Sequence, residues 1–192
     1  MEGRAALRVA LDLLHTPWRV KLVRAEPLPL GVSLLLAVAA DKEAAQHAAM
    51  KAVDRPLEVI RQAATFFIEQ ILLSPDADSY RILGANPEAS DGELRRNMAL
   101  LMTWLHPDKA GQDERAIFAP RIAKAWNDLK TRERRAAYDQ TRRSARTPGW
   151  RDGISSAPRG RNSRSRGSRR GRLENTRGLR RVLELLFGRP RY

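Results

Sequence analysis

Apolar residues recur at helical spacing along most of this 192-residue chain. In residues 2–14, Leu7, Leu11 and Leu14 fall on one side with Ala6 and Ala10 beside them, which predicts an amphipathic helix. Pro17 ends it. Residues 18–23 (WRVKLV) alternate like a strand, but no partner strand is in view, so an extended connector is the equal reading. The apolar run at 28–40 follows Arg19, Lys21 and Arg24 and ends in small residues, as signal-peptide cores do. The long amphipathic segment before it, with Glu26, favours a buried helix instead. Residues 41–53 are Ala-rich and helical, and Asp54 with Pro56 resembles the cap and early proline of the next helix. That helix spans 56–73 and carries Leu57, Ile60, Ala64, Phe67, Ile68, Ile71 and Leu72 on a face broad enough to pack on two sides.

Ser74-Pro75 breaks the pattern, and shorter elements follow. Asp78 is placed to cap a short helix over 79–83 that Gly84 terminates. Ser90 and Glu93 form a capping box for a helix over 91–105, striped by Leu94, Met98, Leu101 and Leu105. Pro107 bars the helical conformation at His106 and stops it there. Pro120 favours a start or a bend of the following helix near itself, and Ile122, Ala125, Trp126 and Leu129 supply the apolar face. Trp104 and Trp126 fit this spacing as packing residues. Thr131 can cap a last helix over 132–138, and the two longer helices, joined by a loop at 106–112, predict an antiparallel hairpin.

Composition changes the picture at the C-terminal end. Of the net charge of +14, residues 1–75 contribute +1, residues 76–139 contribute 0 and residues 140–192 contribute +13, every cation of that last segment being arginine. Residues 141–172 are rich in Arg, Ser and Gly with almost no aliphatic residues, and such a segment is expected to be disordered. Its arginines, among them Arg161, Arg164, Arg166, Arg169, Arg170 and Arg172, are candidates for non-specific contacts to nucleic acid or another polyanion. Aromatic residues for base stacking are missing there apart from Trp150. Residues 173–192 regain a helical pattern, with Leu179, Val182, Leu183 and Leu186 on one side. A dozen residues are marginal as a free helix, so a dock on protein ranks ahead of an anionic membrane surface.

The stretch Leu105-His106-Pro107-Asp108-Lys109 sits between the two predicted hairpin helices, and its neighbours carry a resemblance. In order stand Asp78-Ser-Tyr-Arg-Ile-Leu-Gly84, Ala89-Ser-Asp-Gly-Glu-Leu94, His106-Pro-Asp-Lys109, Ala125-Trp-Asn-Asp-Leu129 and Arg134-Arg-Ala-Ala-Tyr-Asp139. Together they resemble the J domain of the DnaJ co-chaperones, over about a third of the chain. His-Pro-Asp alone is a weak motif; at this distance from four flanking signatures it is a strong one. The resemblance implies that His106, Pro107 and Asp108, with Lys109, Arg95 and Arg96, contact a DnaK-type ATPase chaperone and stimulate its ATP hydrolysis. One departure stands out. Where the family's second helix presents an aromatic and two basic residues, this chain has Met98, Ala99 and Leu100, and Leu100 and Trp104 are apolar for an exposed docking face. Residues 1–75 packing over that face, or a differently arranged contact, would account for it. Arg132, Arg134 and Arg135 stay open between a solvated face and a functional surface.

The expected architecture is all-α: a helical N-terminal domain at 1–75, a J domain at 76–140 built as a hairpin with two short flanking helices, an Arg-rich linker at 141–172 and an amphipathic helix at 173–192. No enzyme is expected, because no Gly-rich phosphate loop, zinc cluster or nucleophile motif is found. No metal or cofactor is expected either: cysteine is absent, and His15 and His47 stand without a second ligand. The expected location is cytoplasmic, which the lack of cysteine fits. A degenerate J domain on a polyanion-binding factor, or a membrane-peripheral adaptor, are the alternative functions.

Overall fold

The computed structural model describes residues 3–106 and 113–146, and every regular element among them is helical. No helix among the described residues is long and apolar enough to cross a membrane. Helix α1 (Gly3–His15) buries Ala6, Leu7, Ala10 and Leu13. The core side is thus rotated from the leucine stripe: Leu13 is buried, while Leu11 and Leu14 are half-buried.

Residues 18–23 are neither strand nor connector. Pro17 opens a 3₁₀ turn (Pro17–Arg19) that runs into α2 (Val20–Ala25). A lone strand would leave its backbone polar groups without partners, whereas a helical turn satisfies them internally. The helix buries Val23 alone and leaves Trp18 and Leu22 exposed. The apolar run forms α3 (Val32–Ala39), with Leu35 and Val38 fully buried. Helix α4 (Glu43–Val53) ends at Asp54, whose φ of 51° is the left-handed conformation of a C-terminal cap. Asp54 therefore closes the helix before it, and Pro56 itself precedes α5 (Leu57–Phe67). The long helix continues as a π turn (Ile68–Leu72), closed by the Leu73 amide donating to the Ile68 carbonyl at 2.9 Å. The widened turn puts Ile68, Ile71 and Leu72 into the core together.

Helix α6 (Ser79–Ile82) begins where the Asp78 carboxylate accepts from the Arg81 amide at 2.9 Å. It ends at Gly84, with φ 63°. Only glycine fits here, because a Cβ would meet Val32 and Leu36 side-chain carbons at 3.0 and 3.1 Å. Helix α7 (Asp91–Trp104) starts with the Ser90 hydroxyl accepting from the Glu93 amide at 3.1 Å. A 3₁₀ segment (Asp113–Phe118) leads into α8 (Ala119–Leu129), so Pro120 falls in the first turn, where its missing N–H costs nothing. Helix α9 (Arg132–Arg146) runs past the expected end at 138, on residues such as Ala136, Ala137 and Gln140 that favour helix.

The described chain as far as Tyr138 forms a first compact unit, and the described residues from Asp139 on belong to a second. Within the first, the N-terminal helices and α6–α8 share a continuous interior. Val32, Leu36 and Leu72 close over Gly84, and Arg121 on α8 donates to the carbonyls of Leu73 and Ser74. Asn86 trades two hydrogen bonds with the backbone of Leu28, at 3.1 and 3.2 Å.

Asn97 is the polar centre of this junction. It is fully buried; its Nδ2 donates to the carbonyls of Leu83 and Gly84 at 3.0 and 3.2 Å, and its Oδ1 accepts from the Ser33 hydroxyl at 2.8 Å. Asn97→Asp would replace a donor by a carboxylate facing two carbonyls. We expect a loss of about 3 kcal/mol or more at pH 7. Burial and the carbonyls favour the neutral acid, so the folded-state pKa lies above the unfolded value of about 3.9. The penalty is therefore full above the folded pKa and shrinks as pH falls towards the unfolded one. Urea unfolding at pH 7 and pH 5 checks this; equal penalties at the two would contradict it.

Candidate functional site

The hairpin arms are α7 and α8. Leu94, Met98, Leu101 and Leu105 on the first are buried, as are Ile122, Ala125 and Leu129 on the second. Removing the leucine, isoleucine and methionine side chains from water stabilises the fold by roughly 2 kcal/mol each, and the Ala125 methyl by less. Helix α7 gives out at its last turn, where the Leu105 amide donates to the Leu101 carbonyl at 3.0 Å and the His106 amide to the Thr103 carbonyl at 3.2 Å. His106 is exposed at that end. Pro107, Asp108 and Lys109 lie outside the described residues, as do Arg161, Arg164, Arg166, Arg169, Arg170, Arg172 and the terminal helix expected at 173–192.

A stacked cluster lies at the C-terminal end of α7. Trp104 is 1% exposed, its ring stacks on Phe118 at 6.3 Å and 29°, and the Arg115 guanidinium lies 4.9 Å from the centre of a Trp104 ring. Arg115 in turn reaches Glu69 of the π turn at 3.6 Å. Trp104 is thus a core residue and no part of an exposed docking face. Trp126 is half-buried.

Arg95 and Arg96 project from α7 into solvent and make no ion pair among the described residues. At about 100° per residue, Asn97, the contact to α3, is turned about 100° from Arg96 and about 160° from Arg95. Trp104 lies seven residues on, nearly in line with Asn97. The N-terminal helices therefore cover α7 at Asn97 and leave the side of Arg95, Arg96 and Ala99 open. Of the three residues at the departure from the family pattern, Met98 is buried, Leu100 half-buried and Ala99 exposed.

The arginines of α9 separate into different roles. Arg132 and Arg134 are exposed, while Arg135 is a clamp. Its Nε donates to the Tyr80 hydroxyl at 2.9 Å, its Nη2 to the carbonyls of Pro87 and Ala89 at 2.7 and 2.8 Å, and its Nη1 to Asp91 at 3.1 Å. Burial pushes the guanidinium pKa down, but the hydrogen bonds and charges of Tyr80 and Asp91 outweigh it and hold the value above the ordinary one. Tyr138 completes the arrangement: its hydroxyl accepts from the Ser79 amide at 2.9 Å, and its ring meets Tyr80 edge-on at 5.9 Å. The sequence marks both residues only as members of a signature, because their partners lie 44 to 59 positions away.

A short capped helix, a hairpin ending in an exposed histidine and a third helix clamped back on the first agree with what the comparisons find: the DnaJ domain model matches residues 78–139. Residues 78–139 are a J domain. Among curated relatives, mouse DnaJ homolog subfamily C member 9 is 34% identical over 67 residues, 33% of this chain and 26% of the relative. Human DnaJ homolog subfamily C member 16 is 37% identical over 76 residues, 38% of this chain and 9% of the relative. The matches span only about a quarter or less of these relatives. No solved structure matches the chain significantly.

Proposed function

We propose that this protein is a co-chaperone whose J domain docks on a DnaK-type chaperone in the cytoplasm and speeds its ATP hydrolysis. The observation that carries the proposal is the exposed His106 at the end of α7, the first residue of the His-Pro-Asp sequence of a J domain. Arg95 and Arg96, exposed on the same helix, would meet an acidic partner surface. In that role the chain supplies no catalytic group of its own; it rearranges those of the ATPase. The test is single-turnover ATP hydrolysis by a DnaK-type chaperone with and without the full chain. We expect faster hydrolysis with the chain, and a rate largely kept when residues 147–192, beyond the end of α9, are removed. No acceleration with any available partner would sink the proposal.

The +13 charge of residues 140–192 favours one second reading, a tail that holds nucleic acid or another polyanion. Retention on a polyanion column that survives removal of residues 147–192 would count against it.

A further inference from the structure

A cleft of about 800 Å³ lies between α1 and the turn that joins α4 to α5, far from α7 in the sequence. Four cations line it: Arg4 and Arg8 from α1, Lys51 from the last turn of α4, and Arg55 from the α4–α5 turn. Asp12 and Asp54 line it too, yet none of the four cations makes an ion pair with them or with any other described residue. Cations of an ordinary solvated face are dispersed over a convex surface. These line one concavity from three parts of the fold, where the four cations outnumber the two carboxylates.

Apart from His15, the cleft's remaining lining is apolar. Leu11, Val53 and Val59 are half-buried along it, so it pairs a hydrophobic surface with charged groups. A volume of this order is that of small-molecule sites. Arg4 and Arg8 stand one helical turn apart on the same face, so two guanidinium forks can each take oxygens of one polyphosphate chain, in the geometry at which arginine excels. The first turn of α5, which supplies Val59, adds the positive end of a helix dipole. The two carboxylates, which would repel a bare polyanion, are acceptors for hydroxyl or amino donors on the same ligand.

We propose that this cleft is a binding site for a phosphorylated organic anion of nucleotide class. Its phosphates lie on Arg4, Arg8, Lys51 and Arg55, its apolar or ring portion on Leu11, Val53 and Val59, and its hydroxyl or amino groups reach Asp12 and Asp54. The site is separate from the J-domain surface and does not depend on the proposed ATPase stimulation.

The test uses the full chain, so that the Arg-rich tail is present in every sample and its contribution cancels. Adenosine triphosphate, inorganic tripolyphosphate and adenosine are each titrated, without added metal, while backbone amide resonances are followed by NMR. Saturable shifts with the nucleotide are expected at residues 4–15 and 51–59, with weaker binding of tripolyphosphate and weaker still of adenosine. Arg8→Glu combined with Arg55→Glu should weaken the nucleotide at that site about tenfold or more. Both residues are exposed, so the variant is expected to fold, and Arg8→Gln with Arg55→Gln offers a milder pair whose loss should fall in between. Shifts confined to residues 140–192, equal affinity in the charge-reversed variant, or tripolyphosphate binding as tightly as the nucleotide would each overturn the proposal.

Discussion

A chain carrying His106→Gln is expected to leave the DnaK-type ATPase at its basal rate while unfolding at the same temperature as the unmodified chain. His106 is exposed and lies beyond the last turn of α7, so its side chain carries little of the packing that holds the hairpin. The two stripes that bury one another end at Leu105 and resume at Ala119. Glutamine keeps a polar side chain of similar reach and lacks only the imidazole. Stability and stimulation should therefore separate, which single-turnover hydrolysis and thermal unfolding of the same preparation would read together. Arg95→Ala with Arg96→Ala is the informative companion. If these cations steer the encounter, stimulation is regained at higher chain concentration and falls more steeply with salt in the unmodified chain than in the variant. If His106→Gln still stimulates fully, the turn is not the signalling element and the proposed function fails in its mechanism.

Arg135→Ala is expected to cost about 3 kcal/mol, the largest loss of any single arginine in the described part of the chain. The guanidinium serves two backbone carbonyls, a tyrosine hydroxyl and a carboxylate, and lies 5.3 Å from the centre of the Tyr80 ring. Truncation leaves the Pro87 and Ala89 carbonyls without that donor, at roughly 1–3 kcal/mol for a buried group. The Asp91 pair adds little, because that carboxylate is 56% exposed and screened by water. For a chain of this size the loss corresponds to a fall in melting temperature of roughly 10 °C. Arg135→Lys keeps the charge but has no planar fork to span Tyr80, Pro87 and Ala89, so most of the loss should remain. A melting temperature unchanged in both variants would show the clamp to be dispensable.

Helical content, the capped starts at Asp78 and Ser90 and the stop before Pro107 were all legible in the sequence. Each depends on residues within a few positions of one another. The J domain was legible for a related reason: its signatures stand in fixed order along 62 residues. What could not be read depends on neighbours far along the chain. Residues 18–23 alternate as a strand does, but backbone satisfaction overrides the alternation and turns them into helix. Asp54 has the chemistry of an N-terminal cap, yet its left-handed backbone closes the helix before it. Asn97 looks like any polar residue on an amphipathic helix. Its burial follows from two carbonyls 13 and 14 positions back and a hydroxyl 64 positions back. Trp104 reads as out of place on a docking face until Phe118 and Arg115 are seen to enclose it.

The interior that Gly84 shares with Val32, Leu36 and Leu72 bears on how portable this J domain is. A cassette moved between proteins must carry a surface that water tolerates on every side. Here the side of α6 and α7 turned towards α3 is finished by another part of the chain, down to an asparagine whose acceptor is served by Ser33. Excised at its sequence boundaries, the module would present raw apolar contacts and an unmatched amide. Residues 1–75 are thus its mounting, and chimeras built from this J domain need to keep them.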